Sequence, residues 1–232
     1  MIKSFINRFK SSRSFKDFYT DWLNTLKSTH LPLLNTLFSF DHPNYSLLST
    51  QVNLLTNHFN SYFTALDLAA NDDVSQLLFP DWRNSLEKPF LWFGDFHPYI
   101  FTNLLRSFIQ DDDSDEHSED NVWKNAGVSL RHFVEQLECG LRLMVPVIVT
   151  RSRDSQAKLV LKLAVGWREK GENLEVGEVI EELIDEIICV FLDANRLRKS
   201  VLADIMATLS VHQSALFLQR LSQFYVGFSN ST

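Results

Sequence analysis

Apolar residues return at helical spacing along almost the whole chain, and one run sets the scale. Val179, Ile180, Leu183, Ile184, Ile187, Ile188, Phe191 and Leu192 repeat at i, i+3 and i+4, and the pattern continues through Leu197, Val201, Leu202, Ile205 and Leu209. That spacing builds one apolar stripe on a long helix, with Glu175, Glu178, Glu181, Glu182, Asp185 and Glu186 on its wet side. The stripe is not a leucine zipper, because strict heptads are not sustained. Phe15, Phe18, Tyr19, Trp22, Leu23 and Leu26 make an aromatic version of the same stripe. It follows Ser14, which has capping-box form with Asp17. Pro32 is expected to kink or end that helix.

The same reading predicts helices over 46–71, from 72 through 78, from 98 to about 108, over 122–144, over 155–167 and over 211–228. A helix is also predicted through Leu91 and Trp92, with Gly94 as its C-cap. It would set Trp82 and Trp92, ten residues apart, on one side. Seven Gly and six Pro in 232 residues leave few turns, which excludes a many-stranded β fold. The expected fold class is all-α, a multi-helix bundle of long antiparallel helices. The expected organisation is a flexible basic tail over 1–13 and a single helical domain over 14–228. An acidic disordered loop over 110–121 would separate two halves.

Charge is unevenly placed. The run Asp111 to Asp120 holds seven acids, and the formal net charge is −7, so the rest of the chain sums to zero. No broad basic surface is left for wrapping nucleic acid. The tail holds Lys3, Arg8, Lys10 and Arg13 with no acid, beside Phe5, Ile6 and Phe9. It is the expected membrane contact, with aromatic groups inserted and cations at the headgroups. No apolar run reaches the length of a membrane-spanning helix. Cys139 and Cys189 lie fifty positions apart in apolar helical patterns, and the expectation is two reduced core thiols.

The chain carries no phosphate-binding glycine loop, no nucleophile elbow and no zinc-protease motif, and its seven His lack metal-ligand spacing. No catalytic residue, metal ligand or cofactor site is expected. The densest constellation runs from Trp82 to Pro98. Glu87 sits there among aromatic residues, where a carboxylate needs a cationic partner; Arg83 and Lys88 are the near ones. Asp95 is the one local second acid, and a pair split by Gly94 has no recognisable catalytic geometry.

These residues resemble the plant seed-dormancy domain, which also forms the C-terminal part of TGA-type bZIP transcription factors. The resemblance runs through His58-Phe59, Ala69-Ala70-Asn71-Asp72-Asp73-Val74, Trp82, Glu87-Lys88, Leu91-Trp92-Phe93-Gly94-Asp95 and His97-Pro98. It extends to the opening Phe15–Leu23 helix and the closing Leu209–Leu218 segment. It implies structural anchors at His58, Asp73, Trp82, Glu87, Trp92, Gly94, Asp95 and Pro98. Three positions depart from the pattern: Lys88 stands for Arg, Asp95 for a second Gly, and His97 for Arg. No basic region or zipper precedes the motif, so direct DNA binding is not expected.

The departures are similar to those of the pollen-aperture branch of the family. That resemblance implies a non-enzymatic adaptor of pollen development that marks plasma-membrane domains where exine is not deposited. Implied partners are other aperture factors, a membrane-associated protein kinase among them. The implied place is the cytoplasm with recruitment to the plasma membrane, and the nucleus is a second location. The alternative implied is a seed-dormancy regulator or transcriptional cofactor binding phosphatases or bZIP factors.

Overall fold

The computed structural model describes residues 14–40, 44–111, 122–123, 127–170 and 176–228. Lys3, Arg8, Lys10 and Arg13 lie outside them, as does the acidic run from residue 112 onward.

The architecture is all-α. Helix α1 (Phe15–Thr25) starts where the Ser14 hydroxyl accepts the Asp17 N–H at 3.2 Å, and it passes through a π turn, Leu26–His30, into α2 (Leu31–Phe38). Pro32 has no N–H to donate, and the backbone widens immediately before it. The proline therefore distorts the helix without ending it. Asn44 caps α3 (Tyr45–Leu78), its side-chain oxygen accepting the Ser46 and Leu47 N–H groups at 3.0 and 3.3 Å. Near its end Asp73 takes φ −154° and ψ 95°, and its carboxylate accepts the Ser75 N–H at 2.9 Å. The last turn is thus re-capped, which matches the expected fresh start at 72.

After a non-helical stretch come α4 (Tyr99–Asp111), α5 (Gly127–Lys170), α6 (Val176–Thr208) and α7 (Val211–Gly227). Ser210 and Gln213 form a full capping box at the start of α7. Helix α3 lies at the centre and packs on α1, α2, α6 and α7, while α5 packs on α4 and α6. The α5–α6 pair is antiparallel: Ile148 meets Val190 and Ala194, and Arg151 meets Glu186. One aromatic-rich core joins residues from both sides of the acidic run, including Trp22, Phe59, Tyr62, Phe63, Phe96, Phe101, Phe217 and Tyr225. Trp22 stacks on Tyr62 at 4.5 Å and meets Tyr225 edge-on at 5.5 Å.

Three expectations need correction. The helix through Leu91 and Trp92 does not form; that segment is a turn, a short 3₁₀ stretch and a hairpin. The helices expected over 122–144 and 155–167 are one helix that runs through Pro146. Leu141 and Ile148 continue the buried face across the proline, and that burial outweighs one lost backbone bond. Cys139 and Cys189 are free and exposed. Cys139 follows Glu138, which pairs with Arg106 of α4, and Cys189 precedes the buried Val190, so each occupies an uncovered side of an otherwise packed helix.

Pro146 is itself exposed. Pro146→Ala should restore the missing N–H and remove the ring clash, raising stability by about 1–3 kcal/mol. The urea midpoint of unfolding measures this, and an unchanged midpoint would mean the helix has already absorbed the strain.

Candidate functional site

Every charged side chain of the signature segment that enters the core meets one guanidinium. Pro80 and Asp81 end the helical run, and the Asn84 side-chain oxygen accepts the Leu86 N–H at 2.8 Å, closing a turn. That turn directs Arg83 inward, where it is 4% exposed. Its Nη1 donates to Glu87 Oε1, and its Nη2 donates to Asp95 Oδ1 at 2.8 Å and to the Tyr62 hydroxyl at 2.5 Å. The guanidinium lies over the Tyr19 ring at 4.5 Å and the Phe96 ring at 5.4 Å. Glu87 also accepts from the Asn84 N–H at 3.3 Å and faces the Tyr19 hydroxyl at 3.5 Å. Lys88, the other expected partner, is exposed.

The hairpin supplies Asp95. Strands β1 (Leu91–Trp92) and β2 (Asp95–Phe96) pair antiparallel, with Leu91 opposite Phe96 and Trp92 opposite Asp95. The two turn residues, Phe93 and Gly94, have φ of 45° and 77°. Two successive positive φ values define the tight turn that suits a twisted hairpin. Gly94 is required for a second reason: a Cβ there would lie 2.5 Å from the Leu77 carbonyl oxygen and 2.9 Å from the Phe191 ring. Phe93 carries the strained φ beside it.

From α6, the fully buried Arg198 holds the hairpin from the other side. Its Nε donates to the Phe96 carbonyl at 2.8 Å, and its Nη2 donates to the carbonyls of Trp92, Phe93 and Asp95, the last two at 3.2 Å. Two arginines and two carboxylates thus sum to zero charge in the buried cluster. Burial opposes the charge of Arg83, but Tyr62, Tyr19, Asp95 and Glu87 outweigh it and hold its pKa above the usual value. Burial pushes Arg198 the other way, with Asp95 opposing. Burial also raises Tyr62 and Tyr225, so both phenols stay protonated.

The other expected anchors sit around this centre. Trp82 meets Phe15 at 5.6 Å. Trp92 packs against His97 at 4.8 Å. His97 Nδ1 accepts the Tyr99 N–H at 3.2 Å, so the residue standing in place of Arg caps α4, while Pro98 is buried at its start. His58 lies apart, stacked on Trp22 at 5.1 Å and 7°. The Trp22 indole donates to the His58 carbonyl at 2.9 Å, and His58 Nε2 donates to the Trp22 carbonyl at 3.0 Å. His30 tilts against His58 at 4.7 Å and bonds Gln51 through Nδ1 at 3.0 Å.

Beside the hairpin runs an open groove of about 580 Å³. Phe79, Pro80, Leu91 and Phe93 form one wall, and Gln156, Leu183 and Ile187 form the other. Phe79 is 83% exposed at its rim. The carboxylates are committed to Arg83, and among the described residues no His, Cys, Asp and Glu gather as a metal site. The arrangement holds backbone in place and presents apolar surface beside it.

Sequence reasoning named Glu87, Asp95 and the Arg83 link. It missed Arg198 and Tyr62, because both reach the hairpin across long stretches of chain. A buried arginine within an apolar stripe was the available signal for Arg198.

Residues 30–107 match the family model for seed dormancy control. Protein Inaperturate pollen1 of Arabidopsis thaliana is 40% identical over 98% of this chain and 94% of its own length. The chain belongs to the seed-dormancy-control family. It falls in the inaperturate-pollen branch, since the Inaperturate pollen 1 homolog of Oryza sativa subsp. japonica is also 33% identical over 91% of the chain and 83% of that protein. Transcription factor TGA7 of Arabidopsis thaliana is 31% identical over 42% of the chain and 26% of its own length. Within this seed-dormancy-control chain, the family match covers α2, all of α3, the segment that carries Arg83, Glu87 and Asp95, and most of α4.

Removing one partner from a buried charge cluster strands the others. Arg83→Leu should cost about 3–5 kcal/mol, and Glu87→Ala should also destabilise, by leaving Arg83 under-paired. Guanidinium chloride unfolding followed by circular dichroism measures both. A loss below about 1 kcal/mol for Arg83→Leu would contradict the role given to it here.

The histidine pair sets a pH dependence. Burial, then the neighbouring His58, lowers His30 from 6.5 to about 4, and burial lowers His58 too. In the unfolded chain both take a proton near pH 6.5. Between there and about pH 4 the unfolded state binds more protons, so stability is full above pH 6.5 and falls as the pH drops. Denaturation midpoints at pH 7.5 and 5 should show this, with a smaller drop for His30→Gln.

Proposed function

We propose that this protein is a non-enzymatic adaptor in plant pollen development, acting in aperture formation by marking plasma-membrane domains where exine is not deposited. The observation that carries the adaptor reading is the division of labour around the hairpin. Its carboxylates are consumed inside by Arg83, while the surface beside them is an apolar groove with Phe79 at its rim. Buried ion clusters of this kind specify shape, and exposed apolar grooves receive partners. The pollen role is supported by near-full-length similarity to a protein named Inaperturate pollen1. Among the described residues no helix is long and apolar enough to cross a membrane, so recruitment would be peripheral.

A second reading, a transcriptional cofactor, is favoured by the partial similarity to transcription factor TGA7, which covers 42% of the chain. Both readings face one experiment. Fluorescently tagged protein expressed in developing microspores should collect at discrete plasma-membrane sites before the wall is laid down. Phe79→Asp should leave the fold intact and disperse the signal. A uniform cytosolic signal throughout the tetrad stage would refute the adaptor reading, and a nuclear signal would favour the cofactor.

A further inference from the structure

The distal part of α5 carries a face that the core does not use. From residue 142 onward its inner side, with Ile148, Ser152 and Ser155, lies against α6. The opposite side meets solvent. Positions 142, 149, 153, 160, 164 and 167 are spaced by seven, four, seven, four and three, so they line one strip of the helix. Val160 is 66% exposed, Leu161 beside it 65%, and Trp167 58%. Arg142, Arg153 and Arg168 alternate with them and are also exposed.

The strip, about 120° wide and about 39 Å long at the standard rise, contains no acid from 142 to 168. Asp154 and Glu169 fall on its flanks. The ion pair of Arg168 with Glu169, at 3.8 Å and largely exposed, holds that arginine only weakly. Outside the acidic run the chain sums to zero charge, and on this strip the cations Arg142, Arg153 and Arg168 have no acid among them.

We propose that this strip is where the protein lies on an anionic lipid surface. The proposal rests on the membrane recruitment described above and names the surface that performs it. The strip is the rounded outer face of a single helix, which suits a fluid surface that conforms to it. Indole groups settle at the water–lipid boundary, aliphatic side chains enter the acyl region, and arginine forks meet phosphates. Neither half alone gives firm attachment; apolar area and charge act together.

The experiment uses the purified full-length chain with two vesicle types. One is phosphatidylcholine alone, and the other contains about a third phosphatidylserine, which gives a negative surface. The protein should sediment with the anionic vesicles, release as salt rises, and show a blue shift in tryptophan emission that Trp167→Phe removes. Arg153→Glu with Arg168→Glu should weaken partitioning by about twentyfold or more, at about fivefold per basic residue. A variant with Lys3, Arg8, Lys10 and Arg13 all changed to Ala should retain most binding. Circular dichroism and urea unfolding verify that each variant is folded.

Absence of sedimentation with anionic vesicles overturns the proposal. So does binding lost in the tail variant and kept in the Arg153/Arg168 variant; that outcome leaves membrane recruitment itself standing. A lipid-free dimer by light scattering that the same two substitutions dissolve would also overturn it, assigning the strip to a second copy of the chain. Vesicle binding as expected, with no discrete membrane sites in microspores, would instead defeat the functional reading and leave the lipid surface in place.

Discussion

The buried guanidinium of Arg83 is the point on which the non-helical part of this molecule depends. Removing a charge from water costs several kcal/mol, and only close, well-directed acceptors repay it. Glu87, Asp95 and the Tyr62 hydroxyl supply those acceptors from three separate segments. Satisfying all of them at once leaves the chain from Trp82 to Phe96 few alternatives. Arg198 adds the complementary constraint, since its Nε and Nη2 donate to carbonyls of the hairpin itself. A helix could not present those carbonyls, because its own N–H groups would occupy them.

The three departures from the family pattern acquire physical meaning in this frame. Asp95, where the pattern has glycine, is the second carboxylate of the cluster and balances a second arginine. His97, where the pattern has arginine, caps α4 through its ring nitrogen. Lys88 is exposed beside the apolar groove and takes no part in the cluster. Two of the three changes therefore alter how the hairpin is held, and the third alters only its surface.

The molecule has two regimes of packing. Around α3, helices cover one another on several sides, and apolar patterning coincides with burial. Along the outer α5–α6 pair, each helix has one neighbour, so the same patterning leaves Val160, Leu161, Ile180 and Ile184 in solvent. The groove beside the hairpin opens where these two regimes meet. Apolar side chains that no core claims are the ones available to partners or to a membrane.

Helical periodicity by itself determined most of the architecture. Apolar spacing, the caps at Ser14, Asn44 and Ser210, and the scarcity of glycine specify local backbone states, and local states need no knowledge of neighbours. The same logic failed at three places where neighbours decide. Pro146 reads as a terminus, but continuous burial on one face carries α5 through it. Cys139 and Cys189 read as core, but each occupies a side of its helix that no neighbour covers. Leu91 and Trp92 read as helix, but Arg83 and Arg198 draw that segment into a hairpin. Sequence also named the acids of the cluster and the need for a cation, because a carboxylate among aromatic residues demands one. It could not name Tyr62 or Arg198, since both arrive through packing of α3 and α6, and contacts across such separations are written only in the tertiary structure.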